Sequence, residues 1–358
     1  METINMKEKV NKYQLVTQEI NQNTAGSKAP NDIEKIADKM GFRREEIIRE
    51  VKCNSFFSKV RRQIHYYSRW REIYSQINNN SIVLVQYPFK YHELNRKRTL
   101  EKLKNRKNVK LIFLVHDVES LRGAPSNHFY KSEFLLMLSL ADQIIVHNLM
   151  MKKFFIDKGV PEDKLVNLKI FDYLIDNYQY HFPTFSKTIL IAGNLNAEKT
   201  KYIKYLDKLH IHFELYGPGY NGNSTKYINY NGVMSPDDIY SVLNRGFGLV
   251  WDGNSTSTCN GKNGNYLRYN DPHKLSLYLA SGIPVIIWKE AAEAKFVEEN
   301  KVGITVDSLE ELPEIFKSLD SYQYEIFVKN VKKIAEKLIN GQYTIDAMNT
   351  AYQRINKE

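Results

Sequence analysis

The stretch Asn270-Asp271-Pro272-His273-Lys274-Leu275-Ser276-Leu277-Tyr278-Leu279-Ala280-Ser281-Gly282-Ile283-Pro284-Val285-Ile286 reads as a short helix that returns at once into a strand. Asp271 before Pro272 is an N-cap type of side chain followed by proline at the first helical position, where its missing N–H costs nothing. Gly282 stops the helix, and Pro284 opens the apolar run 285–288. A strand that is apolar at every position must be covered on both faces, which is the condition of a parallel sheet flanked by helices. The amides that open such a helix have no partner within it and attract anions, and Lys274 in the first turn adds a full positive charge. A diphosphate suits that combination, although a plain loop–helix–strand unit with a surface lysine has the same sequence.

The alternation extends outward in both directions. Upstream in the second half, strands are expected at 188–192, 212–216 and 247–251, and downstream at 303–306, with helices at 199–209, 236–243, 272–280, 291–299 and 309–319. The first half repeats the pattern, with strands at 13–16, 82–85, 110–115, 143–146 and 164–169 and helices at 31–40, 57–77, 97–104, 129–140 and 149–158. An aperiodic aromatic stretch at 171–186 reads as the interdomain connection, and 322–355 as two helices broken near Gly341. The expected fold is α/β: two Rossmann-like, doubly wound domains facing a central cleft at the carboxyl ends of their strands. The expected domains are 1–175, 176–325, and a terminal pair of helices at 326–358 that crosses back to the first domain.

Bulk properties narrow the function. A chain of 358 residues with 42% hydrophobic and 26% charged residues can bury two cores. Its start, Met1-Glu2-Thr3-Ile4-Asn5, lacks the apolar centre of a signal peptide, and no run approaches the ~18 apolar residues of a membrane span, so a cytoplasmic protein is expected. Cys53 and Cys259, far apart in sequence, fit a reducing compartment and give no basis for a disulfide framework or a cysteine-rich metal site. The net charge of +10 favours anionic partners, with Arg96-Lys97-Arg98 and 102–107 as the densest region: a solvated helix face, or contact with a membrane surface. Nucleic acid is not expected, because neither a recognition motif nor a basic face with aromatic platforms is present.

In the first half, the apolar strand 110–115 ends in His116-Asp117-Val118-Glu119. Strand ends facing a cleft are where catalytic groups sit. Asp117 is the first candidate for a general base, His116 the second and Glu119 the third; the competing reading has Asp117 capping a helix and His116 bonded in the core. The loop 23–30, with small residues and glycine, follows the first strand but has neither the Walker nor the dinucleotide glycine spacing. The aromatics Phe56-Phe57, His65-Tyr66-Tyr67 and Trp70 lie on one helical segment, where they can stack on sugars, enter a membrane interface, or simply pack a core or an oligomer contact.

The segment from His273 to Val285, with Trp251-Asp252-Gly253, Thr258-Cys259-Asn260-Gly261, Gly264-Asn265-Tyr266-Leu267 and Tyr269-Asn270, resembles the bacterial β-1,6-galactofuranosyltransferases. It is also similar to a sister branch, the glucosyltransferases that extend N-acetylglucosamine on serine-rich repeat adhesins. The resemblance implies a GT-B fold and a UDP-sugar donor used without a metal or other cofactor. It implies that His273, Lys274 and Leu275 open the donor helix, that Gly193, Asn194 and the basic Lys199 approach the phosphates, and that Tyr216 and Gly217 hold the uracil. The adhesin branch has arginine where Lys199 stands, which leaves its register open. Thr24, Ala25, Gly26 and Ser27 would line the acceptor side. A glycine at a strand end admits close backbone approach, and two ammonium groups would stabilise UDP as it departs.

The expected reaction is inverting transfer from UDP-galactofuranose onto a glycan acceptor, lipid-linked and at the inner face of the membrane, in cell-surface polysaccharide synthesis. UDP-glucose or another UDP-hexose is the alternative donor. A non-catalytic subunit of a glycosylation complex is the alternative class, and a homo-oligomer is compatible with either.

Overall fold

The computed structural model describes residues 10–19, 25–49, 55–123, 127–176, 178–179 and 182–357. The first sheet contains β1 (Lys12–Glu19), β2 (Arg43–Arg49), β3 (Ile82–Tyr87), β4 (Lys110–Val115), β5 (Gln143–Val146) and β6 (Leu165–Asn167) in the order β2-β1-β3-β4-β5-β6. The second contains β7 (Thr184–Ala192), β8 (Phe213–Tyr216), β9 (Ile228–Tyr230), β10 (Arg245–Val250), β11 (Val285–Trp288) and β12 (Gly303–Val306) in the order β12-β11-β10-β7-β8-β9. All neighbouring strands are parallel. The strand order reverses between β1 and β3 in one sheet and between β7 and β10 in the other, and the crevice at such a reversal is where ligands bind in this architecture. Helices flank both sheets, as the GT-B fold requires.

The central strands are apolar and fully buried: Val83, Leu111, Phe113, Val115, Leu190, Phe247, Leu249, Ile286 and Ile287 have almost no exposure. The strands absent from the sequence expectation, β2 and β9, are both sheet edges. β2 reads Arg-Arg-Glu-Glu-Ile-Ile-Arg, and charge at an edge discourages pairing with another chain, so the apolar signature is missing where the edge has to be protected. The expected helix at 236–243 is reduced to a 3-10 turn at Ile239–Ser241, and that at 199–209 is a short α-helix, Ala197–Thr200, continued as 3-10 through Lys201–Leu209. The segment 25–30 is not a loop: the helix Ala25–Lys39 already includes it, with Pro30 in its second turn.

The connection between the sheets is a buried strap. Ile170, Phe171, Asp172, Tyr173 and Leu174 are all buried, and three of their amides are taken up by other elements: Phe171 by Asp271 Oδ2 at 2.5 Å, Leu174 by Asp32 Oδ2 at 2.9 Å, Tyr173 by the Leu338 carbonyl at 3.2 Å. The two terminal helices divide their contacts. Ser321–Ile339 stays with the second sheet, where Tyr324 donates to the Gly246 carbonyl and packs on Phe247. Only Gln342–Ile355, after Gly341, returns to the first sheet, with Arg354 donating to the carbonyls of Asp163 and Leu165. Asp172 accepts the amides of Tyr343 and Thr344, capping this last helix from the strap.

Candidate active site

Segments leaving the carboxyl ends of β4 and β5 touch segments that follow β10 and β11. Val118 N donates to Tyr266 Oη at 3.0 Å, Asn148 Nδ2 donates to the Tyr269 carbonyl and to Glu293 Oε1, and Asp271 N donates to His147 Nδ1 at 3.0 Å. The bond at Nδ1 places the His147 proton on Nε2, which donates to the Val115 carbonyl at 3.0 Å. Burial lowers this imidazole to a pKa of about 4, so it stays neutral. Lys28 adds a further bridge: its ammonium is buried between Asp32 at 2.8 Å, the Leu174 carbonyl and Asp237 of the second domain at 3.1 Å, over the Tyr173 ring.

On the second-domain side, β7 and β8 end in glycines with positive φ, +127° at Gly193 and +138° at Gly217. A Cβ on Gly217 would lie 1.8 Å from the Gly193 carbonyl oxygen, whereas one on Gly193 would meet nothing within 4 Å. Gly217 therefore lets the two strand ends close on each other, and Gly193 faces open space. Asn194 is exposed and its Oδ1 accepts from Asn196 N, shaping the turn that leads to Lys199. Tyr216 is buried, with its hydroxyl turned back along β8 to Glu214 Oε2 at 2.8 Å. Its phenol is engaged there, so Gly217 and the backbone form the part of this pair at the opening.

The helix His273–Ala280 begins beside these strand ends, and Tyr278 fixes the junction by accepting from Ala192 N at 2.7 Å. Two sequence expectations are corrected here. Asp271 does not cap the helix: Pro272 occupies the cap position, and the Asp271 carboxylate is spent on Phe171 N. Burial raises this carboxyl to about 7. Leu275 is a core residue with no exposure, and its amide is bonded to the Pro272 carbonyl, which leaves it nothing to offer a ligand.

His273 stacks on Tyr173 at 5.0 Å, and its buried Nε2 has no hydrogen-bond partner among the described residues. Lys274 Nζ donates to the Trp251 carbonyl at 3.1 Å and to Asp252 Oδ1 at 2.7 Å; Lys199 Nζ lies 3.7 Å from Asp252 Oδ2. The two basic side chains singled out in the sequence thus converge on one carboxylate. Burial pulls the Lys274 ammonium below its ordinary range, and Asp252 opposes that fall.

On the first-domain side, Asp117 is partly exposed, and Arg122 Nη1 bridges its Oδ2 at 3.2 Å and Glu119 Oε1 at 3.3 Å. Burial raises the Asp117 carboxyl, with Arg122 and, from across the cleft, Lys199 pulling against the rise. A carboxylate of raised proton affinity that retains access to solvent has the character of a general base. His116 is bonded through Nε2 to Gln86 Oε1 at 2.6 Å and stacked on Phe171; burial takes its pKa down to about 3, which leaves it neutral and weakly basic at physiological pH. Gly26 and Ser27 lie in the first turn of the helix Ala25–Lys39, and Thr24 lies outside the described residues.

Sequence reasoning gave no role to Asp252 and Tyr266, although both lie in motifs that carry the resemblance, and did not single out His147 and Gln86. A signal existed for Asp252, an acid placed immediately after the apolar strand β10, in the position from which Asp117 was read. Tyr266 rides on the short helix Gly261–Tyr266, which carries four glycine or asparagine positions and no apolar period. Of the aromatics at 56–71, Tyr66 and Trp70 are buried in the core, while Phe56 and Phe57 are 74% and 84% exposed.

Comparison with known proteins places the chain in a family. Residues 13–170 match the glucosyltransferase 3-like N-terminal domain family and residues 189–351 the corresponding C-terminal domain family. The chain is 33% identical over 278 residues to the β-1,6-galactofuranosyltransferase WbbI of Escherichia coli (strain K12), covering 76% of this chain and 79% of that one. It is 27% identical over 320 residues to glucosyltransferase 3 of Streptococcus gordonii, covering 88% and 90%. Among solved structures, Anabaena HepE in complex with UDP and glucose superimposes with a TM-score of 0.58 at 11% identity, covering 97% of this chain and 99% of that one. With two parallel sheets opposed at their carboxyl ends and both family domains matched in order, the chain belongs to the glucosyltransferase 3-like family and is a glycosyltransferase of the GT-B fold.

Proposed function

We propose that the protein transfers a galactofuranosyl residue from UDP-galactofuranose to a sugar hydroxyl, forming a β-1,6 linkage with inversion and without a metal. The observation that carries the reading is the convergence of Lys274 and Lys199 beside the open strand end at Gly193, with Asp117 opposite them in the other domain. The diphosphate lies against the two ammonium groups and the first amides of the helix His273–Ala280, and the unpartnered His273 Nε2 accepts from a hydroxyl of the donor. The acceptor oxygen attacks the anomeric carbon as Asp117 takes its proton; the bond from that carbon to the UDP oxygen breaks, and the lysines stabilise the charge that collects there. Similarity to WbbI favours galactofuranose, and HepE, crystallised with UDP and glucose, supports a uridine nucleotide. A second reading, UDP-glucose as donor, is favoured by the family match and by the greater span shared with glucosyltransferase 3.

The acceptor is a lipid-linked glycan met at the inner face of the membrane. No helix among the described residues is long and apolar enough to cross a bilayer. The helix Phe56–Gln76 does present Phe56, Phe57, Val60, Ile64 and Tyr67 to solvent among exposed Lys59, Arg61 and Arg71, which suits peripheral attachment to an anionic leaflet. Incubation with a panel of UDP-sugars, with UDP release measured with and without a panel of glycan acceptors and with and without EDTA, tests the proposal. Acceptor-dependent release from UDP-galactofuranose that survives EDTA is expected. Release from UDP-glucose alone selects the second reading, and loss in EDTA overturns metal independence.

A further inference from the structure

The strand end of β10 carries one acidic side chain that neither the chemistry of transfer nor the core requires. The Asp252 side chain is 7% exposed, and its two oxygens face two lysines from different crossovers, Lys274 before β11 at 2.7 Å and Lys199 before β8 at 3.7 Å. The same strand end also holds Lys274 through the Trp251 carbonyl at 3.1 Å. A carboxylate beside a diphosphate pocket is costly for the donor, since it repels the ligand the lysines attract. It persists at a benefit only if the empty pocket needs it. A buried ammonium with no counter-charge sheds its proton, and a neutral lysine binds no phosphate.

We propose that Asp252 is a positioning residue of the donor site: it serves as resident counter-ion to Lys274 and Lys199, keeping Lys274 charged and aimed at the Gly193 opening until the diphosphate of the donor replaces it. The inference rests on the donor-site reading above. The other titratable groups facing Lys274 are Lys199 and the Cys259 thiol; Tyr202 and Tyr278 face Asp252 as well. Burial pushes the thiol and both phenols up, so they stay neutral at physiological pH and leave Asp252 as the counter-charge for the lysines. Asp117 stands beyond Lys199 and acts on it from the other domain.

The test is calorimetric titration of the full chain with UDP from pH 6 to 9 for wild type, Asp252→Asn, Asp252→Glu and Lys274→Ala. Asp252→Asn keeps an oxygen for Lys274 and removes the charge. UDP should then bind on the order of tenfold more tightly at pH 6. The alkaline loss of affinity should begin at least about one pH unit below that of wild type. Asp252→Glu should retain the wild-type pH profile. Profiles for Asp252→Asn parallel to wild type, or uniformly weakened, overturn the proposal. If Lys274→Ala binds UDP as wild type does, the donor-site reading falls and this inference falls with it. If Lys274→Ala is weak while Asp252→Asn is parallel to wild type, only the role of Asp252 fails.

A readout that needs no variant is the proton uptake on UDP binding at pH 8, measured in two buffers of different ionisation enthalpy. Uptake near zero is expected, because Lys274 is already charged. Uptake approaching one proton overturns the proposal.

Discussion

Alanine at Gly193 and alanine at Gly217 should separate donor binding from folding, although the two glycines are neighbours at adjacent strand ends. At Gly217 the new Cβ would sit 1.8 Å from the Gly193 carbonyl oxygen, in backbone held at φ +138°. Neither partner is a side chain that can rotate away. Left-handed strain costs about 1–2 kcal/mol, and forcing apart packed backbone adds about 1–3 kcal/mol. The bond from Gly193 N to the Tyr216 carbonyl, 2.9 Å long, lies in the path of that displacement. A loss of about 2–5 kcal/mol is therefore expected, together with weaker UDP binding.

At Gly193 the Cβ meets nothing within 4 Å, so only the strain at φ +127° remains, about 1–2 kcal/mol. Its methyl group projects into the space proposed for the diphosphate, and losing one charge-assisted contact there weakens UDP roughly ten- to a hundredfold. Thermal melts and UDP titrations on both variants decide the matter. Gly193→Ala should melt within a few degrees of wild type and bind UDP poorly; Gly217→Ala should melt far lower. Wild-type UDP affinity in Gly193→Ala, or equal destabilisation of the two variants, would refute the placement of the donor at this strand end.

Two further outcomes follow from the same geometry. Asp117→Asn should lower kcat by about 10²–10⁴ while leaving UDP affinity within a few fold. Because burial raises the Asp117 carboxyl, wild-type rates are full above that raised pKa and fall as pH drops through it; a pH–rate profile should show this acid limb in wild type and none in the residual activity of Asp117→Asn. Replacing Phe56 and Phe57 together with serine should leave the melting temperature unchanged, since both rings are mostly exposed, yet reduce sedimentation with phosphatidylserine vesicles at least about tenfold. Unchanged sedimentation would assign the stripe to something other than a membrane.

The sheets were legible where they are buried. β4 and β5 lie where their apolar runs end, because a strand covered on both faces has few polar positions to blur its limits. β2 was not legible, since an edge strand written with five charged residues looks like a loop. The 25–30 segment misled for a related reason: small residues and a proline mark a turn in most settings, whereas here the proline lies in the second turn of a helix that Lys28 and Asp32 tie to the strap at Leu174. Lys274, Lys199 and Asp117 could be named because each follows a recognisable strand or opens a helix. That Lys274 and Lys199 share one carboxylate could not, since 74 residues and three strands separate them along the chain.

By itself, then, the amino-acid sequence determined the alternation of strand and helix, the two-sheet architecture and the residue types able to meet an anion, because these depend on periodicity and on which groups cannot be buried alone. Tertiary structure alone decided that Leu275 and Tyr216 are committed to other contacts, that Asp271 ties down the strap rather than capping a helix, and that Asp252 stands between the two lysines. Those outcomes depend on which distant groups arrive within hydrogen-bond reach, and reach is set by the crossing of whole elements rather than by local order along the chain.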